Sequence, residues 1–365
     1  MMKTMKYATP ILLALGAILM PTACTNDDSL QQAVTPMEEI NLYVAMENQT
    51  TGTTRAASGL QIDPETNYNQ LGVFVYRKGY TGPVSQDTYT CRENIQPTGA
   101  VDNTTSKKLT FQTPMSFPLS GDDKDVDVYV YAPYKNTYSD VTDMEITVAA
   151  NQAAAADYLA SDFVYGKATA DYDAEDKSAA VTMYHALVKL TFKIDDVGNG
   201  TDASAISEIK LTNVFKRAVI NMSTALNAAA PWLTGGIQVT TPTDDPTNDK
   251  GDVIVSNNTA DPSLYNHVKP VELGDPEGTG VGVSAIIPAQ NVLTTAGSPK
   301  VAVTIDNVTR DVYLGSDEDG GLSDLAPGYE YVFTLNIKSQ NIIVVAVSIN
   351  PWTAGTEQVR DLIFN

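Results

Sequence analysis

Asp125-Val126-Asp127-Val128-Tyr129-Val130-Tyr131 alternates residue by residue and stops at Pro133. A period of two is the mark of a β-strand, whose successive side chains point to opposite faces. Valine and tyrosine suit a pleated surface, and the proline removes a ladder donor where the run ends. The same style recurs outward in both directions. Leu71-Gly72-Val73-Phe74-Val75-Tyr76 reads as a compact buried strand, and Val181 to Ile194 is the longest such run. Ile206 to Val214, Val283 to Ile287, Tyr329 to Ile337 and Asn341 to Ile349 are further strands. Val301 to Ile305 and Arg310 to Leu314 flank Asp306-Asn307, a turn pair, and predict a hairpin. The best helix candidate is the short Ala-rich stretch Gln152 to Leu159. Gly and Pro, 24 and 19 residues, punctuate short strands throughout. Many short strands separated by turn signals predict an all-β protein built of sandwiches, and 365 residues suggest two of them. Asp195-Asp196-Val197-Gly198-Asn199-Gly200 breaks the pattern and marks a candidate boundary.

The N-terminus reads differently. Lys3 and Lys6 precede the apolar run Ile11 to Met20, and Thr22-Ala23 places small residues before Cys24. The run is about half of the ~20 residues needed to span a bilayer, so it reads as a secretory leader. A cut before Cys24 makes that cysteine the new N-terminus and an acceptor for lipid. Cys91 is the only other cysteine, so a lipidated Cys24 leaves no intramolecular disulfide. After a polar tether comes Glu38 to Glu47, where Ile40, Leu42, Val44 and Met46 point one way and Asn41, Tyr43, Ala45 and Glu47 the other. This is a strand with one strongly apolar face. It is followed by Asn48 to Gly59, rich in Thr, Gly, Ser and Ala, a composition open to proteolysis. Arg55 in that linker is the only Lys or Arg between Lys6 and Arg77.

Charge and chemistry exclude several classes. A net charge of -21 sets the chain against a phosphate backbone, so nucleic acid is not an expected partner. Two histidines, His185 and His267, and one free cysteine make a zinc site improbable. His185 sits in an alternating run and reads as a packed strand histidine. No phosphate-binding glycine fingerprint occurs. Asp122 to Asp125, Asp171 to Asp176, Thr243 to Asp245 and Asp317 to Gly320 read as solvated acidic turns, with no EF-hand spacing among them. A glycosidase needs two paired acids, and nothing in the sequence pairs them. No catalytic residue, metal or cofactor is expected. The tail Val359-Arg360-Asp361-Leu362-Ile363-Phe364-Asn365 is apolar, as a segment that packs against something is.

Taken in order, these features resemble the fimbrillins, the type V pilins of Bacteroidales bacteria. The resemblance rests on the leader ending at Cys24, on Arg55-Ala56 after the strand Ile40–Met46, and on Tyr184-His185-Ala186-Leu187-Val188-Lys189-Leu190-Thr191-Phe192. It rests further on Ile286-Ile287-Pro288-Ala289-Gln290, Leu325-Ala326-Pro327-Gly328-Tyr329-Glu330-Tyr331 and Ile349-Asn350-Pro351-Trp352. It implies two transthyretin-like β-sandwich domains in tandem, over residues 56–196 and 197–365. They follow a signal peptide (1–23) and a propeptide (24–55) that carries a removable strand at 38–47. It also implies a life history: a lipoprotein precursor at the outer membrane is cut by an arginine-specific protease between Arg55 and Ala56. The strand bearing Ile40, Leu42, Val44 and Met46 is then lost, and its groove is filled by the C-terminal strand of another subunit. The donor segment expected here carries Val359, Leu362, Ile363 and Phe364. The partners implied are other pilin subunits, in a homopolymer with tip and anchor subunits, and the end point is an adhesive extracellular fimbria. The alternative is a permanently lipid-anchored surface protein that binds glycans or host proteins.

Overall fold

The computed structural model describes residues 37–46, 68–82, 92–103, 106–196, 206–223, 238–240, 250–257, 283–316, 321–337, 341–352 and 362–363. All lie within the unit Met37–Asn365. The leader, Cys24, the linker with Arg55 and Ala56, and the tail residues Val359 and Phe364 are outside the described residues.

The first half contributes β1 (Asn41–Met46), β2 (Gly72–Arg77), β3 (Arg92–Ile95), β4 (Gly99–Asn103), β5 (Ser106–Thr110), β6 (Val126–Ala132), β7 (Met144–Thr147), helix α1 (Ala155–Ala160), β8 (Val164–Ala170) and β9 (Ser178–His185). The second half contributes β10 (Val188–Asp196), β11 (Ile206–Phe215), β12 (Arg217–Asn221), β13 (Gln238–Thr240), β14 (Lys250–Asn257), β15 (Val283–Ile287), β16 (Gln290–Asn291) and β17 (Lys300–Ile305). It ends with β18 (Val308–Tyr313), β19 (Asp324–Leu325), β20 (Tyr329–Ile337), β21 (Ile342–Pro351) and β22 (Leu362–Ile363). The all-β expectation holds.

Eight strands run in the order β3-β2-β6-β8-β9-β1-β5-β4. β9 turns the corner in this sheet. Its first residues, Ser178 to Met183, pair with β1, and its last two, Tyr184 and His185, pair with β8. A Cβ on Gly166 would lie 2.3 Å from the Thr182 carbonyl oxygen, so only glycine lets β8 approach β9 at the corner. Folded this way, the sheet encloses a core of aliphatic side chains: Ile40, Leu42, Val44, Val73, Val75, Val128, Val130 and Val181 among others.

The alternation in β6 has a different meaning from the usual apolar-in, polar-out rule. Every residue of β6 is buried. Val128 and Val130 face the aliphatic core, whereas Tyr129 and Tyr131 join Phe74, Tyr76, Tyr165, Phe163 and Tyr158 in a second, aromatic core on the opposite face. That outer layer is roofed by β7 and by β12, which pair with each other. It reaches Trp352, whose ring stacks on His185 at 3.9 Å and 7°. His185 Nδ1 lies 2.9 Å from Oδ1 of the fully buried Asp162. His185 is thus a packed strand histidine with a carboxylate partner.

The second sandwich sets β15-β10-β20-β21-β22 over β14-β11-β17-β18. Val188, Leu190, Phe192 and Ile194 meet Ile209, Leu211, Val301, Val303, Phe333 and Leu335 in one core. The predicted hairpin is β17 and β18, with Asp306 and Asn307 at φ 50° and 63°, the left-handed pair that a two-residue hairpin turn requires. The run Val181 to Ile194 is two strands, not one. Ala186 and Leu187, both fully buried, carry the chain from β9 to β10 and from one set of sheets to the other. That crossing lies ahead of the break expected at Asp195 to Gly200. The single-strand reading fails because side chains on both sides of the crossing are buried, so no polar loop announces it.

Candidate functional site: the slot of the first strand

β1 lies between two neighbours in the middle of a sheet. It runs parallel to β9 with Asn41 opposite Ser178 and Met46 opposite Met183, and antiparallel to β5 through Tyr43 opposite Lys108. Ile40 (5% exposed), Leu42 (0%) and Val44 (1%) enter the aliphatic core, and Met46 packs against its margin. The sequence-predicted apolar face is therefore the buried one.

The entry of the strand is held by a set of polar contacts. The Ile40 N–H donates to the Met115 carbonyl at 2.9 Å, and the Phe117 N–H donates to the Glu38 carbonyl at 3.0 Å. The Asn41 N–H donates to the Lys177 carbonyl at 3.1 Å, and the Asn41 amide group donates to the Asp176 carbonyl at 3.4 Å. Lys177 itself sits at φ 45°, a left-handed conformation uncommon outside glycine. Its ammonium pairs with the Glu38 carboxylate at 2.6 Å and donates to the Tyr172 carbonyl at 2.6 Å. It also lies 4.5 Å from the centre of the Tyr172 ring, and Lys124 approaches the same ring at 4.3 Å. Tyr172 stands edge-on to Phe117, with ring centres 5.4 Å apart. The Glu38 hydrogen bond and charge hold the Lys177 ammonium above its ordinary pKa. Behind Tyr172, its N–H donates to Asp125 at 3.0 Å, and Asp125 pairs with Lys78 at 2.8 Å. The Lys78 hydrogen bond, followed by that of Tyr172, lowers the Asp125 carboxyl pKa.

Of the residues the sequence singled out, Ile40, Leu42, Val44 and Met46 come together in this slot. The tail is elsewhere: Leu362 and Ile363 form β22 and pair with Val347 and Ala346 on β21 of the second sandwich. Lys177, Tyr172, Lys124 and Glu38 were not singled out by the sequence. The local signal was faint, because Lys124 and Lys177 sit within or beside acidic stretches that read as solvated turns. Among the described residues no group of three or more His, Cys, Asp or Glu side chains is placed to hold a metal ion.

The model of a family described as fimbrillin-like matches residues 54–352. The chain belongs to the fimbrillin-like family. A search of curated proteins finds no match. Among solved structures, a candidate cell adhesion protein of Bacteroides uniformis superposes with a TM-score of 0.54 at 14% identity, over 88% of this chain and 100% of that one. A candidate cell adhesion protein of Bacteroides ovatus gives 0.53 at 14% identity, over 88% and 99%. The tip fimbrial protein Mfa3 of Porphyromonas gingivalis, truncated at its C-terminus, gives 0.44 at 11% identity, over 86% and 100%. The first two share the fold of this chain. The family match has a notable span: it begins after β1 and stops at Trp352, leaving both β1 and β22 outside it.

Proposed function

We propose that this fimbrillin-like chain is a structural, non-catalytic subunit of a cell-surface fimbria that serves adhesion. In this reading it is exported as a precursor lipidated at Cys24 and delivered to the outer membrane. An arginine-specific protease cuts between Arg55 and Ala56. β1 then leaves with the propeptide, and the C-terminal segment of another subunit, with Val359, Leu362, Ile363 and Phe364, enters the vacated slot. The residues from Ala56 onward form two tandem sandwich domains in the finished subunit.

The observation that carries the reading is the position of β1. It is a central strand of the first sandwich, yet it precedes the linker with Arg55 and lies outside the family match. Its departure uncovers the sites of Ile40, Leu42 and Val44. At about 1.5–3 kcal/mol for each buried side chain, this is about 5–9 kcal/mol as an upper figure. That is comparable with the whole stability of a typical domain, about 5–15 kcal/mol. Departure also strands backbone groups of β5 and β9 on open edges. A strand from a neighbour restores both kinds of contact. Because β22 pairs with β21 and the slot of β1 lies in a different sheet, the contact is head-to-tail and propagates as a filament. The cell-adhesion descriptions of the two superposed structures are in keeping with this end point.

The test is the variant Arg55→Ala. The expected result is a full-length precursor that reaches the outer membrane and forms no fibres. Fibres with a mature N-terminus at Ala56 despite the substitution count against Arg55 as the processing site. An uncut, lipid-bearing N-terminus on the wild-type surface protein favours a permanently anchored protein that binds glycans or host proteins.

A further inference from the structure

An alternating strand has a register problem that its apolar side chains do not solve. A slip by one residue turns every side chain to the wrong face and is excluded by the core. A slip by two keeps the alternation, and Ile40, Leu42, Val44 and Met46 are similar enough in bulk to exchange places. Something outside the apolar row must distinguish the correct register from one shifted by two. The polar contacts at the entry of the slot have the required position. Lys177 offers its carbonyl to the Asn41 N–H and its ammonium to the Glu38 carboxylate, so one residue reads both the backbone and the side chain of the entering strand. Its left-handed backbone and its hydrogen bond to the Tyr172 carbonyl hold it in place independently of β1. Lys124, 4.3 Å from the centre of the same Tyr172 ring, adds a second positive charge to this corner.

We propose that Lys177, backed by Tyr172 and Lys124, is a carboxylate clamp that sets the register of β1 in its slot. It selects an acidic residue two positions ahead of the first buried apolar side chain. A strand displaced by two brings Pro36 or Ile40 to the clamp. In the first case the Glu38 carboxylate is also driven into the buried site of Ile40, at a large desolvation cost. The pattern so defined, acid-x-apolar-x-apolar-x-apolar, is met by Glu38 to Val44 and is broken in the tail at Asp361 and Asn365, so the clamp favours β1 over the tail. This specificity rests on the proposed exchange of β1, but the clamp itself is testable without it.

The first measurement is amide hydrogen exchange on the full chain. Glu38→Gln is expected to speed exchange of the β1 amides about two- to fivefold relative to those of β20, the range of an exposed ion pair. In a Lys177→Met background the same substitution is expected to add nothing. Equal effects of Glu38→Gln in both backgrounds overturn the clamp. The second measurement offers labelled synthetic peptides of residues 37–47, with Glu38 or with Glu38→Lys, to the chain nicked by an arginine-specific protease. Uptake of the Glu38 peptide, with the Lys version about fivefold poorer, supports selection. Equal uptake of both overturns it. Uptake of neither counts against a displaceable first strand, and the exchange cycle on the intact chain then decides the clamp by itself.

Discussion

The two sandwiches reach completeness by different routes. The second takes its core mainly from β10, β11, β14, β15, β17, β20 and β21, all inside the stretch that matches the family model. β22 adds only two paired residues at its edge. The first sandwich needs β1, which comes from upstream of that stretch and sits in the middle of the sheet with three side chains in the core. The first half is complete only with that strand in place, and on the reading proposed above this difference suits it to strand exchange.

The comparison breaks most readily at Leu42. Leu42→Ala is expected to cost about 2–5 kcal/mol. The loss should appear as weakened hydrogen-exchange protection in β5 and β9, with β11 and β17 unaffected. Leu211→Ala, an equally buried site in the second sandwich, should give the reverse. If both substitutions weaken both halves alike, the sandwiches unfold as one unit and the distinction falls. A smaller effect is expected at the corner strand. Gly166→Ala places a methyl against the Thr182 carbonyl, and at about 1–3 kcal/mol of overpacking it should loosen β9 and hence the slot. Unchanged denaturant midpoints would show that the corner yields freely.

The smallest effect is that of pH. The native Asp125 pKa is lowered, so its contribution is complete above the ordinary value of 3.8 and fades as pH falls through the lowered native value. The native pKa values of Lys78 and Lys177 are raised, so theirs is complete below 10.5 and is lost as pH rises through the raised values. Protection of β1 should therefore be flat across neutral pH and decline only at the extremes, and Asp125→Asn should blunt the acid limb. A β1 opening that titrates near neutrality would implicate a different group.

Most of the fold was legible because strands announce themselves by period. Val73/Phe74/Val75/Tyr76 and Val128/Tyr129/Val130/Tyr131 each read as strands, and Tyr329 to Ile337 coincides with β20. What period does not report is how many faces are buried. Tyrosine suits an exposed face as well as an aromatic core, and only the roof from β7 and from β12, the latter distant in sequence, decides between them. The division of Val181 to Ile194 did leave a trace. Apolar core positions are odd-numbered through Val181 and Met183 and even-numbered from Val188 to Ile194, a change of phase that one continuous strand does not make. The apolar face of the slot was legible from Ile40, Leu42 and Val44. The clamp was not, because Lys177 meets Glu38 only after β9 has folded alongside β1, and a lysine next to an acidic turn carries no local sign of that meeting.

The central claim is that β1 is a temporary occupant. Peptide mapping by mass spectrometry of purified fibres, against the unassembled precursor, tests it most directly. The account predicts that the precursor yields peptides covering Ile40 to Met46, and that fibres lack them and begin at Ala56. Fibres that retain Ile40 to Met46 in stoichiometric amount would contradict it.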